Sequence, residues 1–377
     1  MIYLDNAATT FPKPRCVIEA TKECIKQYCG NPGRSAHRLS IKTSEKIFEA
    51  RERISNFLGI SNPENVVFTQ NATHALNLAI KTTVKPNSHI LISDIEHNSV
   101  LRPVHALKNK IGVEYSVFES KGNLEKNISS KITPDTKYIV SSLASNVIGR
   151  EISIKELSEI SKKYGLCLIT DASQLIGHKK IDLRSTPCDV LCAPAHKALF
   201  GIQGAGFCVF MDKLERDTIF EGGSGNDSKN LLMPEFLPER FEAGTLSSPA
   251  IISLLAGIEF INEVGIDAIE EKIFFLTEKY AEVINSINNA ILYEYGNGVI
   301  SFNISNTPAE NISKELDRFG ICTRSGLHCS PLAHKTMGTL NIGTVRISLS
   351  YLNTKKEIDE FYKKLKEIAK SYSSTRK

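Results

Sequence analysis

The chain has 377 residues, 41% hydrophobic and 23% charged, the balance of a globular protein with room for more than one domain. Its net charge of +4 is spread along the chain, so neither a nucleic-acid surface nor a basic membrane patch is expected. No apolar run reaches the length of a membrane span, the N-terminus lacks a secretion-signal pattern, and the nine cysteines follow no disulfide spacing. A reducing, cytoplasmic setting is the expectation.

Residues 44–58 carry apolar positions at helical spacing, and 66–69 is a short apolar run that reads as a strand. Gln70-Asn-Ala-Thr73-His74 follows at once, so a helix N-terminus is predicted near Ala72–His74. Free amides and the positive end of a helix dipole make such a turn a phosphate site. The plainer reading is a capping turn with Asn71 or Thr73 as the cap. Further strand-like runs occur at 89–93, 113–118, 138–142, 166–170, 190–193 and 207–211, with an amphipathic helix at 154–164. This alternation predicts an α/β protein with a mostly parallel, seven-stranded sheet covered by helices.

Near Glu221 the rhythm stops and a loop-rich stretch runs to Phe241-Glu-Ala-Gly-Thr245. One long helical pattern then covers 249 to about 288, followed by a strand at 299–304, a helix at 308–319, a strand at 344–350 and a closing helix from Thr354. These elements predict a smaller α+β domain. The expected division is a large domain of residues 16–248 and a small domain of residues 1–15 with 249–377. The basic tail 371–377 reads as frayed.

Asp171 closes the run 166–170, and His196-Lys197 follows the run 190–193. Neighbouring parallel strands would bring Asp171 and Lys197 to one sheet edge, where α/β proteins bind ligands. A lysine there can form an imine with an aldehyde, and an aspartate can keep a pyridine nitrogen protonated. Together they suggest pyridoxal phosphate. The glycine-rich turn Gly201–Gly206 leads into a strand and lacks a Gly-Lys-Ser/Thr ending, so neither nucleotide-loop fingerprint fits. Asp171 has a plainer reading as a helix cap, and His97 as a hydrogen-bonded loop residue. His97 also lies at a strand end of the same sheet, where its ring could stack on a cofactor. Gln174 is placed to reach a ring hydroxyl.

Arg324-Ser-Gly-Leu-His328-Cys329-Ser-Pro331, bracketed by Gly and Pro, reads as a mobile loop. Positive neighbours favour the thiolate that a sulfur nucleophile requires. A zinc site from Cys322, His328, Cys329 and His334 is the rival, but adjacent ligands fit the usual spacing poorly, and no metal is expected. Arg346 lies among apolar residues in a strand pattern and needs a partner. That partner is either an internal carboxylate or the carboxylate of a substrate.

Across nearly the whole chain these motifs resemble the cysteine desulfurases of the class V aminotransferase family. The resemblance is carried by Tyr3-Leu-Asp-Asn-Ala-Ala-Thr-Thr10, Asn71-Ala-Thr-His-Ala-Leu-Asn77, Glu96-His97, Ser145-Asn146-Val-Ile-Gly149, Asp171-Ala-Ser-Gln174, Ala195-His-Lys197, Arg240–Thr245 and Arg324–Cys329. It implies a fold-type I homodimer with Lys197 bonded to pyridoxal phosphate, His97 over its ring, Asp171 on its nitrogen and Gln174 on its hydroxyl. Ala72, Thr73 and His196 would hold the phosphate, joined by Thr245 of a neighbouring subunit. Asn146, Arg324 and Arg346 would hold the substrate, with Asn146 also touching the cofactor. The implied reaction turns L-cysteine into L-alanine, leaves a persulfide on Cys329 and passes sulfur to an acceptor protein, as in iron–sulfur cluster assembly. A selenocysteine lyase or other β-lyase is the alternative, and a non-catalytic protein of the same fold a further one. The chain departs from the family at Pro194, where a phosphate-binding hydroxyl is usual, at Ile202 in the turn after the lysine, and at His74.

Overall fold

The computed structural model describes residues 1–33, 35–211, 216–225 and 229–374. The chain opens with β1 (Ile2–Tyr3), α1 (Arg15–Glu23) and α2 (Arg38–Leu58). It continues through β2 (Val66–Thr69), α3 (Ala72–Thr83), β3 (His89–Ser93), α4 (Asn98–Ile111), β4 (Glu114–Phe118) and α5 (Leu124–Ser129). Next come β5 (Thr136–Ser142), α6 (Ile154–Tyr164), β6 (Cys167–Asp171), β7 (Val190–Pro194) and β8 (Gly206–Phe210).

These strands form a seven-stranded sheet of order β2-β8-β7-β6-β5-β3-β4. Only β8 runs against its neighbours; β7, β6, β5, β3 and β4 are mutually parallel. Continuous apolar runs suit a sheet covered on both faces, and β2, β3, β7 and β8 are buried at every residue. One face packs against α3 and α4 through Leu76, Ile80, Val100 and Val104. The other packs against α2 and α6 through Ile54, Leu58 and Leu157. Parallel strands place all their C-terminal ends on one edge, so residues following β3, β5, β6 and β7 meet there.

The second half contains α7 (Ser248–Val264), α8 (Ile266–Asn285), β9 (Ala290–Gly296), β10 (Val299–Ile304), α9 (Ala309–Arg318), β11 (Ile321–Cys322) and β12 (Arg324–Gly326). It closes with α10 (Pro331–Thr336), β13 (Thr344–Ser348) and α11 (Lys355–Ser374). A four-stranded antiparallel sheet of order β12-β13-β10-β9 forms its centre, while β1 pairs with β11. The expected single helix over 249–288 is two helices at 84°. Gly265 separates them with φ +89°, a backbone hand that ends the first helix. Periodicity concealed the break because α7 is buried on nearly all sides. It packs on α1 and α2, so the long helical run is shared between the two halves. No single helix among the described residues is long and apolar enough to cross a membrane. Of the tail expected to fray, α11 takes in residues up to Ser374, and 375–377 lie outside the described residues, as do 226–228 of the loop-rich stretch.

Two contacts lock the halves together beside the sheet edge. Gly149 (φ +63°) crosses Gly296 so closely that a Cβ on Gly149 would lie 1.9 Å from the Gly296 carbonyl oxygen. The N-terminal segment is the second tie. Ser348 N donates to Leu4 O (2.7 Å), and Thr10 Oγ1 donates to Lys197 O (2.8 Å).

Candidate active site

A cavity of about 220 Å³ lies on the C-terminal edge of the large sheet, roofed by the small sheet and floored by the turns after β3, β5, β6 and β7. It gathers Ala72, Thr73, His97, Asn146, Asp171 and Gln174. His196, Lys197, Arg324 and Arg346 complete the expected set on its wall. Of the expected residues, Cys329 and Thr245 do not line it. Thr245 is exposed on the surface.

At one end, α3 starts at Ala72 with Asn71 as its cap, the Asn71 side chain accepting from His74 N at 2.9 Å. The capping reading and the anion-site reading hold together here, because the cap leaves the first amides directed at the cavity. Thr73 Oγ1 lies 2.8 Å from Ser99 Oγ, which lies 2.9 Å from His97 Nδ1. Ser99 N also donates to that nitrogen (3.0 Å), so His97 Nδ1 is an acceptor and the ring proton sits on Nε2. Burial and the Lys197 charge hold the His97 pKa down at about 4, keeping the ring neutral. His196 Nδ1 is buried without a partner, and Pro194 lines the same end with no donor to offer.

In the centre, burial lowers the Lys197 pKa to about 8, so its amine is neutral far more often than that of an exposed lysine. Asp171 ends β6, and its Oδ1 accepts from Ser173 N (2.9 Å). No helix follows, so the capping alternative for Asp171 is replaced by a tight side-chain turn that leaves Oδ2 for the cavity. Gln174 Nε2 donates to Ala7 O (3.1 Å), tying the N-terminal segment over the site.

Beneath this layer lies Glu96, which the sequence reading quoted in a motif but gave no task. It is fully buried and accepts from Ser142 N (2.8 Å), from Ser142 Oγ (2.7 Å) and from Ser93 Oγ. Burial raises its pKa to about 7. By bridging the ends of β3 and β5 it fixes the turns that carry His97 and Asn146.

At the other end, Arg324 and Arg346 stand opposite each other on β12 and β13. Arg346 is 1% exposed; its Nη2 donates to Asp5 Oδ1 (2.5 Å) and its Nη1 to Asn146 O (3.1 Å). The internal ion pair therefore exists, but Arg346 Nε remains buried without a partner. Asp5, quoted only within a motif, and Ser99 had been given no task from the sequence. The signal for Asp5 was a carboxylate directly after the apolar run Ile2-Tyr3-Leu4, matching the unmet need of Arg346.

The stretch expected to be a mobile loop is ordered by specific bonds. Arg324–Gly326 is a strand, and Pro331 begins a helix. Between them His328 and Cys329 adopt φ +49° and +60°, left-handed values that are uncommon for residues other than glycine. Asn146 Nδ2 donates to His328 O (2.7 Å), Ser330 Oγ donates to Asn146 Oδ1 (2.6 Å), and Asn98 N donates to Cys329 O (2.7 Å). The Asn146 amide, expected to touch cofactor and substrate, is thus engaged in holding this loop. His328 is buried, whereas Cys329 is exposed with its Sγ 3.9 Å from Arg324 Nη2. Among the described residues no three His, Cys, Asp or Glu side chains form a metal-ligating group.

The arrangement brings together a helix start, a buried lysine beside a carboxylate, two arginines facing each other across strands, and an exposed thiol on the adjoining loop. Residues 2–361 match the family described as aminotransferase class-V. A probable cysteine desulfurase of Methanothermobacter thermautotrophicus is 33% identical over 98% of this chain and 94% of its own length. A probable cysteine desulfurase of Pyrococcus abyssi is 32% identical over 100% of this chain and 96% of its own. The apo structure of a cysteine desulfurase from Thermococcus onnurineus NA1 superposes with a TM-score of 0.89 at 30% identity, covering 98% of this chain and 95% of that one. The chain therefore belongs to the class-V aminotransferase family, within its cysteine desulfurase branch.

Proposed function

We propose that the protein is a cysteine desulfurase that uses pyridoxal phosphate to convert L-cysteine to L-alanine and hands the sulfur from Cys329 to an acceptor. The observation that carries this reading is an exposed thiol beside Arg324, on a loop bonded through Asn146 to the sheet edge that bears Lys197 and Asp171.

The residues fit the cofactor. The α3 start, Thr73 and the unpartnered His196 Nδ1 suit a phosphate, Asp171 Oδ2 suits a protonated ring nitrogen, and Lys197 suits an aldehyde. When bound, pyridoxal phosphate supplies an electron sink for the pair released when a substrate Cα–H bond breaks. The chain's residues supply the rest. Arg346, assisted by Arg324, holds the substrate carboxylate, for which its free Nε is available. The neutral Lys197 Nζ is positioned to take a proton from the substrate Cα and return it later. The neutral His97 ring lines the cavity with Nε2–H as its free donor and can donate a hydrogen bond without adding charge. Cys329 Sγ then bonds to the substrate sulfur as the substrate C–S bond breaks, the bonding pair remaining with the carbon fragment.

A homodimer is part of the proposal. It is supported by Thr245, exposed and outside the lining of its own cavity, and by the exposed apolar residues Leu231, Leu232 and Phe236 of the same loop-rich stretch. Nine free thiols support a cytoplasmic setting.

The test is to incubate purified protein with pyridoxal phosphate and L-cysteine, follow alanine, and weigh the peptide containing Cys329. Alanine with one added sulfur on Cys329, both lost in Cys329→Ala, is expected. Alanine undiminished in Cys329→Ala would refute the persulfide route. Alanine from selenocysteine but not cysteine would select the lyase.

A further inference from the structure

Cys329 is not among the residues lining the cofactor cavity; it lines an adjoining groove of about 360 Å³ between α3 and α4, which shares Thr73, His97 and Ser99 with that cavity. The groove begins where Thr73 and Asn98 open their helices, so two positive helix ends meet at the thiol. It runs outward past Asn77 to Arg102 and Lys81, both exposed, and none of its lining residues is acidic. Along α4, Arg102 lies four residues beyond Asn98, about 6 Å, and along α3, Lys81 lies eight residues beyond Thr73, about 12 Å. Neither cation is paired with a carboxylate among the described residues.

Resting on the persulfide reading above, we infer that this groove receives the sulfur acceptor, and that the acceptor is a small anionic thiol with carboxylates roughly 6–12 Å from its sulfur. Three features carry this choice. The groove has the volume of a small-molecule site. Its charge is of one sign, which concentrates anions. Arg102 and Lys81 stand about one and two helical turns outward from the helix starts that share the groove with the thiol. The step is thiol exchange: the acceptor thiolate attacks the outer sulfur of the Cys329 persulfide, the Sγ–S bond breaks, and Cys329 leaves as thiolate. The acceptor becomes a persulfide, so no outside oxidant or reductant is consumed.

Holoenzyme charged with L-cysteine and freed of excess substrate is mixed with reduced glutathione, its ethyl ester or cysteamine, compared at equal thiolate concentration. Loss of the sulfur mass from Cys329 is timed for each thiol. Glutathione is expected to unload Cys329 about tenfold faster than the ester or cysteamine, with the advantage fading as ionic strength rises from about 0.01 to about 0.3 M. In the Lys81→Gln/Arg102→Gln double variant the glutathione-to-ester ratio should fall toward one. Equal rates for all thiols in the wild type, or an unchanged ratio in the variant, overturns the proposal. Unloading by an acidic thiol-bearing peptide but not by glutathione also overturns it, in favour of a protein acceptor. Failure of Cys329 to gain sulfur in the first place refutes the persulfide reading instead, and is seen before any thiol is added.

Discussion

Asp5→Asn isolates the electrostatics of the arginine end. The change keeps the side chain's size and one acceptor oxygen but removes the only carboxylate bonded to Arg346 among the described residues. Arg346 is 1% exposed and Asp5 22%, so the pair is poorly screened. Stranding one partner of a buried pair costs about 3–5 kcal/mol. Because Asp5 is partly exposed and asparagine still accepts a hydrogen bond, the loss should be smaller, about 2–3 kcal/mol. In urea titrations of apoprotein this lowers the midpoint by about 0.5–1 M. A bound carboxylate would supply the missing charge, so L-alanine should raise the variant's midpoint more than the wild type's. An unchanged midpoint in the variant would show that Asp5 does not neutralise Arg346. Equal stabilisation of both proteins by L-alanine would show that Arg346 does not meet the substrate carboxylate.

Further expectations concern protons, the loop and the crossing of the two halves. Recombination of apoprotein with pyridoxal phosphate should speed up as pH rises and level off above about 8, the depressed Lys197 value, and be absent in Lys197→Arg; a flat profile from pH 6 to 9, read by cofactor absorbance, contradicts it. Glu96 keeps its proton in the folded state up to about pH 7, whereas the unfolded chain releases it near 4.5. Its contribution to stability is therefore complete below pH 4.5 and fades by pH 7. Wild-type stability measured against Glu96→Gln should decline across that window. Ser330→Ala removes one of the bonds between Asn146 and the Cys329 loop and Asn146→Ala removes both, and each should slow sulfur transfer about 5- to 30-fold. A coupling near zero in their double-mutant cycle would mean the two do not act together. Gly149→Ala should lower the urea midpoint sharply, as its Cβ has no room against Gly296; a neutral result would mean the crossing relaxes.

Residues at ends of parallel strands were legible because the strands themselves were: apolar runs marked β3, β6 and β7, and Lys197, Asp171 and His97 follow them within a few positions. What escaped has specific causes. β12 is three residues long and contains glycine, so no pattern separates it from a loop. Glu96, Ser99 and Ser330 act by touching residues already recognised, and such contacts depend on how strand ends lie across from one another. Asn146 was assigned only through the family resemblance, and its amide is occupied by a carbonyl 182 positions away, which no local pattern reveals. The turn at Gly265 was hidden because a helix buried all round has no face to lose.

The left-handed backbone at position 329 has an evolutionary consequence. A cysteine held there bears a cost of the order of 1 kcal/mol that glycine would not. Selection for stability favours glycine there, and selection for the thiol opposes it. Descendants that had abandoned sulfur chemistry would be expected to drift to glycine at this site while keeping the fold, so the residue found there reports whether the activity is still in use.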